Sequence, residues 1–168
     1  YEEVYNYTGL ILIIATVMFA IQIYCDFSGY SDIAVGVAKL FGINLTNNFK
    51  SPYFSCSIKE FWSRWHISLS SWLKDYIYIP LGGNRIGTLK RMRNYLITFA
   101  VSGLWHGANW TYVIWGLIHG CAMVIESIFK MKPSQKKVGI LLRTLVVFTF
   151  CCFAWIFFVS PTVDAACY

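Results

Sequence analysis

Charge is what this sequence has least of. Only 13% of its residues are Asp, Glu, Lys or Arg, about half the share of an ordinary soluble domain. So few charges cannot cover a water-facing surface, which excludes a soluble globular domain. Metal-ligand spacing is also missing. The six cysteines, at 25, 56, 121, 151, 152 and 167, form no C-x-x-C pair, and the three histidines make neither H-x-x-x-H nor H-E-x-x-H. This argues against a zinc site and a disulfide framework, and leaves the cysteines as small buried hydrophobes. There is no G-x-S-x-G, P-loop or G-x-G-x-x-G motif, so nothing indicates an activated serine or a nucleotide-binding loop.

What is abundant is apolar surface: 57% of residues are hydrophobic and 18% aromatic. The formal net charge is +6. Its bases flank apolar runs, which fits membrane topology and anionic headgroups rather than nucleic acid. Tyr1 is not an initiator Met and Tyr168 closely follows an apolar run, so a piece of a longer protein is expected.

Crossing the hydrocarbon takes about 20 apolar residues. Residues 4–25 form one uncharged run, ended by Asp26, and 144–163 form another, between Arg143 and Asp164. Residues 94–125 are also uncharged; as one helix they would reach roughly 45 Å, too long for an upright span. Gly103, Gly107 and Asn109 are placed to break it. Lys90, Arg91 and Arg93 precede this run, and Lys130, Lys132, Lys136, Lys137 and Arg143 follow it. A hairpin over 94–129 puts both basic clusters on the cytoplasmic side. Its tip, around 104–110, is then expected deep in the membrane. Glu2, Glu3 and Asp164 fall on the outer side. Residues 27–41 read as a short span or an in-plane helix. In 58–74, Ile58, Phe61, Trp62, Trp65, Leu69, Trp72 and Leu73 fill one helical stripe, opposite Lys59, Glu60, Arg64 and Lys74. That pattern predicts an amphipathic helix lying at the interface. The fold class is all-α, a polytopic membrane domain.

Three histidines could carry chemistry. His119 reads as a core residue. His106 sits at the expected helix break beside Trp105, and an ionisable group at membrane depth is a functional candidate by default. A neutral imidazole kept from water can accept a hydroxyl proton. His66 lies at the border of the 58–74 stripe and can point into protein. Asp26 and Asp32, six apart, do not share a helix face, so they read as local polar packing. The Pro80-Leu81-Gly82-Gly83-Asn84-Arg85 segment reads as a turn; cradling a phosphate is the weaker reading.

Four motifs resemble one family in the same order. They are Asp26-Phe27-Ser28-Gly29-Tyr30-Ser31-Asp32, Glu60-Phe61-Trp62-Ser63-Arg64-Trp65-His66-Ile67-Ser68-Leu69-Ser70, the run from Asp75 through Pro80-Leu81-Gly82-Gly83-Asn84-Arg85, and Ser102-Gly103-Leu104-Trp105-His106-Gly107-Ala108. Together they resemble membrane-bound O-acyltransferases of the alginate-acetylating branch, with teichoic acid D-alanyl transferases as relatives. The resemblance implies a multi-helix fold pierced by a tunnel, in a bacterial inner membrane. It makes His106 the deep catalytic histidine and His66 the second. Arg85, Asn84, Trp105, Asp75 and Arg64 become candidates for holding the donor. It implies acetyl-CoA as co-substrate with no bound cofactor or metal. It further implies a polysaccharide acceptor, and often an extracytoplasmic SGNH-type partner protein. A transporter subunit or a non-catalytic membrane scaffold remain the alternatives.

Overall fold

The computed structural model describes residues 4–129 and 136–168. Glu2, Glu3, Lys130 and Lys132, part of the topology reasoning, lie outside the described residues. Those described form helices joined by turns, with no strand among them: the fold is all-α.

Helix α1 spans Leu10–Leu40, 31 residues, about 45 Å. It runs straight through Asp26, which therefore does not end the helix, and 27–41 is its continuation rather than a separate element. Asp26 and Asp32 are exposed on its surface. A helix this long outruns the roughly 30 Å of hydrocarbon, so it can carry a charge along its length. It stops at Gly42, whose φ of 74° suits glycine. There the Ile43 N–H donates to the Ala38 carbonyl and the Gly42 N–H to that of Lys39, a Schellman ending.

The stripe at 58–74 is not one helix. Helix α2 (Ile58–Arg64) and helix α3 (Ile67–Leu73) are separated at Trp65 and His66, and a π-helical turn, Lys74–Tyr78, follows. The apolar side faces protein rather than lipid alone: Ile58, Phe61 and Trp65 belong to the central core with Ala20, Trp115, Val147 and Trp155. The Glu126 carboxylate accepts the backbone N–H groups of Ile58 and Lys59, which anchors the start of α2.

Helix α4 (Thr88–His106) and helix α5 (Trp110–Phe129) form a hairpin. Glycine sets their closeness. A Cβ on Gly103 would run into the Tyr112 carbonyl, and one on Gly116 into that of Phe99. Helix α6 (Lys137–Val159) packs against α5 and α1, and a short helix α7 (Val163–Cys167) closes the end. Asn109 Nδ2 donates to the Pro161 carbonyl at 3.0 Å, just beyond α6. The hairpin tip therefore lies at the end of the bundle, not midway along it. With 19 residues in α4 and 20 in α5, both arms are full-length helices.

Helices α1, α5 and α6 are long and apolar enough to cross a membrane. Cys151 and Cys152 are core residues, whereas Cys25, Cys121 and Cys167 are exposed on outer helix faces. Burial by protein was expected of most of them. In a bilayer, an apolar thiol can face lipid instead.

Candidate active site

His66 occupies the break between α2 and α3 with φ 44° and ψ 55°, the left-handed region that costs a non-glycine residue on the order of 1–3 kcal/mol. The neighbouring segment 48–50 holds it there. Lys50 N–H donates to the Arg64 carbonyl at 2.9 Å and Ile67 N–H to the Asn48 carbonyl at 3.0 Å. Ser68 N–H donates to Asn48 Oδ1, also at 3.0 Å. The imidazole meets Phe27 edge-on at 4.7 Å between centroids and Trp105 at 6.2 Å. Its Nδ1 is buried and has no partner within the protein. Burial holds this imidazole below its ordinary value of 6.5, so it is neutral at pH 7.

His106 is the last residue of α4. Its ring is ringed by Trp105, Trp115 and Phe158, with centroids 5.0–5.2 Å away. The turn after it must be small, because a Cβ on Gly107 would press on the Tyr112 ring at 2.7 Å. Asn109 then starts α5 by accepting the Thr111 N–H.

The fold brings the two histidines together. Both line one cavity of about 220 Å³, and its other walls are Ile23, Phe27, Trp65, Trp105, Trp115, Trp155 and Phe158. No lining residue is acidic. Two imidazoles in an apolar aromatic chamber can take up and return a proton without competition from water. His119 is elsewhere: it is 1% exposed, and its Nδ1 accepts the Trp62 indole N–H at 3.3 Å, as expected of a satisfied core histidine.

Of the other candidates, only Trp105 lines this chamber. Arg64 pairs with Glu60 at 2.6 Å, and Asp75 pairs with the adjacent Lys74 at 3.4 Å. Arg85 is exposed on the turn. The N–H groups of Gly82, Gly83 and Arg85 all donate to carbonyls within that turn or just before it, so they are not left to cradle a phosphate. Asn84 accepts the Tyr78 hydroxyl at 2.7 Å and lines a separate trough.

That trough was not anticipated. It consists of two cavities, about 420 and 500 Å³, that share Lys59, Asn84, Tyr95 and Met123 as walls. Thr98 and Ser102 line the first and Arg91 the second. Thr98 Oγ1, Ser102 Oγ and Arg91 Nε are buried without a partner in the protein. The signal was present in the sequence: Asn94, Thr98, Ser102 and His106 recur every four residues, one polar stripe on a helix face. It leads along α4 from its basic start to His106.

The profile of the membrane-bound O-acyltransferase family matches residues 1–160. The chain is 47% identical to the probable alginate O-acetylase of Azotobacter vinelandii, over 86% of this chain and 29% of that protein. It is 44% identical to the peptidoglycan O-acetyltransferase of Helicobacter pylori, over 88% and 28%. To the teichoic acid D-alanyltransferase of Bacillus subtilis it is 33% identical, over 83% and 39%. This chain therefore belongs to the membrane-bound O-acyltransferase family. It spans less than a third of the length of the two O-acetyl-transferring relatives.

Proposed function

We propose that this chain carries the reaction chamber of a multi-pass membrane O-acyltransferase. The enzyme moves an acetyl group from cytoplasmic acetyl-CoA towards a hydroxyl of an extracytoplasmic polysaccharide, directly or through an SGNH-type partner protein. The observation that carries this reading is the pairing of His66 and His106 in one aromatic chamber.

His106 is the general base. Its neutral imidazole takes the acceptor hydroxyl proton as the oxygen attacks the thioester carbonyl. A tetrahedral oxyanion forms and collapses; the C–S bond breaks, and the coenzyme thiolate leaves with the proton returned from His106. His66, lining the same chamber, donates to the carbonyl oxygen and polarises it. The aromatic walls hold donor and acceptor in line and exclude hydrolytic water.

Size supports a split site. Pockets for drug-sized ligands run to about 300–1,000 Å³, and 220 Å³ accommodates only the reacting ends. The bulk of the donor must lie outside the chamber. The trough supplies Lys59 and Arg91 for negative charge and the hydroxyls of Thr98 and Ser102 for amide groups. In this reading they replace Arg85, Asp75 and Arg64 as donor contacts, while Asn84 and Trp105 keep a place. Identity is higher to the acetyl-transferring relatives than to the D-alanyltransferase, which favours acetyl over D-alanyl transfer.

The test is radiolabelled acetyl transfer from acetyl-CoA in membranes expressing the full chain. His106→Ala is expected to abolish transfer while membrane insertion stays intact. Full transfer by that variant would overturn the assignment. Passage of an intact solute in place of acyl transfer would favour a transporter subunit. Partner capture surviving loss of both histidines, with no transfer by wild type, would favour a scaffold.

A further inference from the structure

Helix α3 begins in an unusual way. The residue at its N-cap is His66, yet the His66 side chain makes no capping hydrogen bond. An N-cap residue ordinarily turns its own side chain back onto the first free N–H groups. Here the ring is turned towards the chamber instead, and the first N–H groups of α3 are satisfied from a distant segment. Asn48 provides both acceptors: its carbonyl takes the Ile67 N–H and its Oδ1 takes the Ser68 N–H.

The same side chain reaches in the other direction. Asn48 Nδ2 donates to Ser31 Oγ at 3.4 Å, and Ser31 is buried on α1. One residue further on, Phe49 packs edge-on against Phe27 and Trp65 at 5.0 Å, two walls of the chamber. The His66 backbone is left-handed, a conformation the chain would leave if nothing held it. Asn48 ties both ends of the constraint, one to the helix that follows His66 and one to the long helix behind it.

We propose that Asn48 is the positioning residue for His66: by capping α3 in place of the His66 side chain and tethering it to Ser31, it frees the imidazole to face His106. Asn48 does not line the chamber and acts only through His66.

The structural arm of the test does not depend on catalysis. Diethyl pyrocarbonate modification of each histidine is followed by mass spectrometry in detergent-solubilised full chain. In Asn48→Ala the His66 modification rate is expected to rise several-fold, while fully buried His119 stays protected and reports an intact bundle. Asn48→Asp keeps the Oδ1 acceptor for Ser68 and leaves a second carboxylate oxygen that can accept the Ser31 hydroxyl in place of the Nδ2 donation, so it is expected to restore most of the protection. An unchanged His66 rate in Asn48→Ala would overturn the proposal. If Asn48→Ala also exposes His119, Ser31→Ala decides, since it removes only the tether: a raised His66 rate supports the proposal and a wild-type rate overturns it.

The kinetic arm rests on the acyltransferase reading. Displacing a reacting group by about 1 Å costs on the order of 100-fold. Asn48→Ala is expected to lower kcat by about 10–100-fold with KM little changed, and Asn48→Asp to recover most of it. Wild-type kcat in Asn48→Ala would overturn the role. Absence of transfer in wild type would instead sink the acyltransferase reading, leaving the labelling result to stand on its own.

Discussion

Replacing His66 by glycine and by alanine separates backbone strain from side-chain contacts, and the sign of the difference is the test. Both variants lose the same imidazole: its edge contact with Phe27 at 4.7 Å and its buried, unpartnered Nδ1. They differ only in the Cβ. At an ordinary position glycine is less stable than alanine by about 0.5–1 kcal/mol, because it loses more backbone freedom on folding. At φ 44° and ψ 55° the Cβ itself is unfavourable, by roughly 1–2 kcal/mol. Subtracting the entropy term leaves His66→Gly more stable than His66→Ala by up to about 1.5 kcal/mol. For a chain of this size each kcal/mol is about 2–4 °C in Tm. Thermal unfolding of the two variants in the same detergent reads it directly. Alanine more stable than glycine by the usual margin would show that His66 is not held left-handed, and the account of the break between α2 and α3 would fail. Both variants are expected to lose acetyl transfer, so the stabilising change is also an inactivating one.

Two further outcomes follow from the packing and from burial. Gly116→Ala places a methyl group against the Phe99 carbonyl and is expected to destabilise the hairpin by about 1–3 kcal/mol, seen as a lower melting temperature. Gly36→Ala on α1, with nothing within 4 Å of the added Cβ, serves as the control and is expected to raise stability by about 0.5–1 kcal/mol. Burial lowers the His66 pKa, so the unfolded chain binds a proton there at a higher pH than the folded one. Its contribution is present above about 6.5 and is lost as pH falls from there towards the folded value. Melting temperature should drop over that window in wild type, and less steeply in His66→Gln; parallel curves would remove His66 as a cause.

How far the sequence revealed this architecture depended on whether the determinant was local. The α4–α5 hairpin was legible because its signals lie within it: an uncharged run too long for one span, and glycines at 103, 107, 116 and 120 that allow close approach. The length of α1 was not, because Asp26 reads as a stop when the span is assumed to match the bilayer. In a helix that projects beyond it, the same residue is an exposed side chain. The break at His66 was hidden for a different reason. Phe61, Trp65, Leu69 and Leu73 are all buried, so the apolar stripe continues in register across the interruption. The groups freed at the break are taken up by the segment 48–50, some twenty residues earlier, and periodicity cannot report a hydrogen bond between distant segments. His106 was singled out by its place at the turn, but its neighbours Trp115, Trp155 and Phe158 come from helices whose packing order no local pattern specifies.

The positions where local rules are broken converge on the two sites. Six buried side-chain polar atoms among the described residues lack a partner in the protein: His66 Nδ1, Arg91 Nε, Thr98 Oγ1, Ser102 Oγ, Thr111 Oγ1 and Trp115 Nε1. Each costs about 1–3 kcal/mol when left unsatisfied, and incidental defects would be scattered through the bundle. Five of the six instead belong to residues lining the histidine chamber or the trough. Only Thr111 does not. The left-handed backbone at His66 falls in the same place. A fold that keeps its unsatisfied donors and acceptors along one stripe of α4 and around one aromatic chamber is arranged to bind something polar there. The two spaces are one helical turn apart, from Ser102 to His106. On the acyltransferase reading proposed above, the donor would reach both, with its charged end near Arg91 and its reacting end beside the imidazoles.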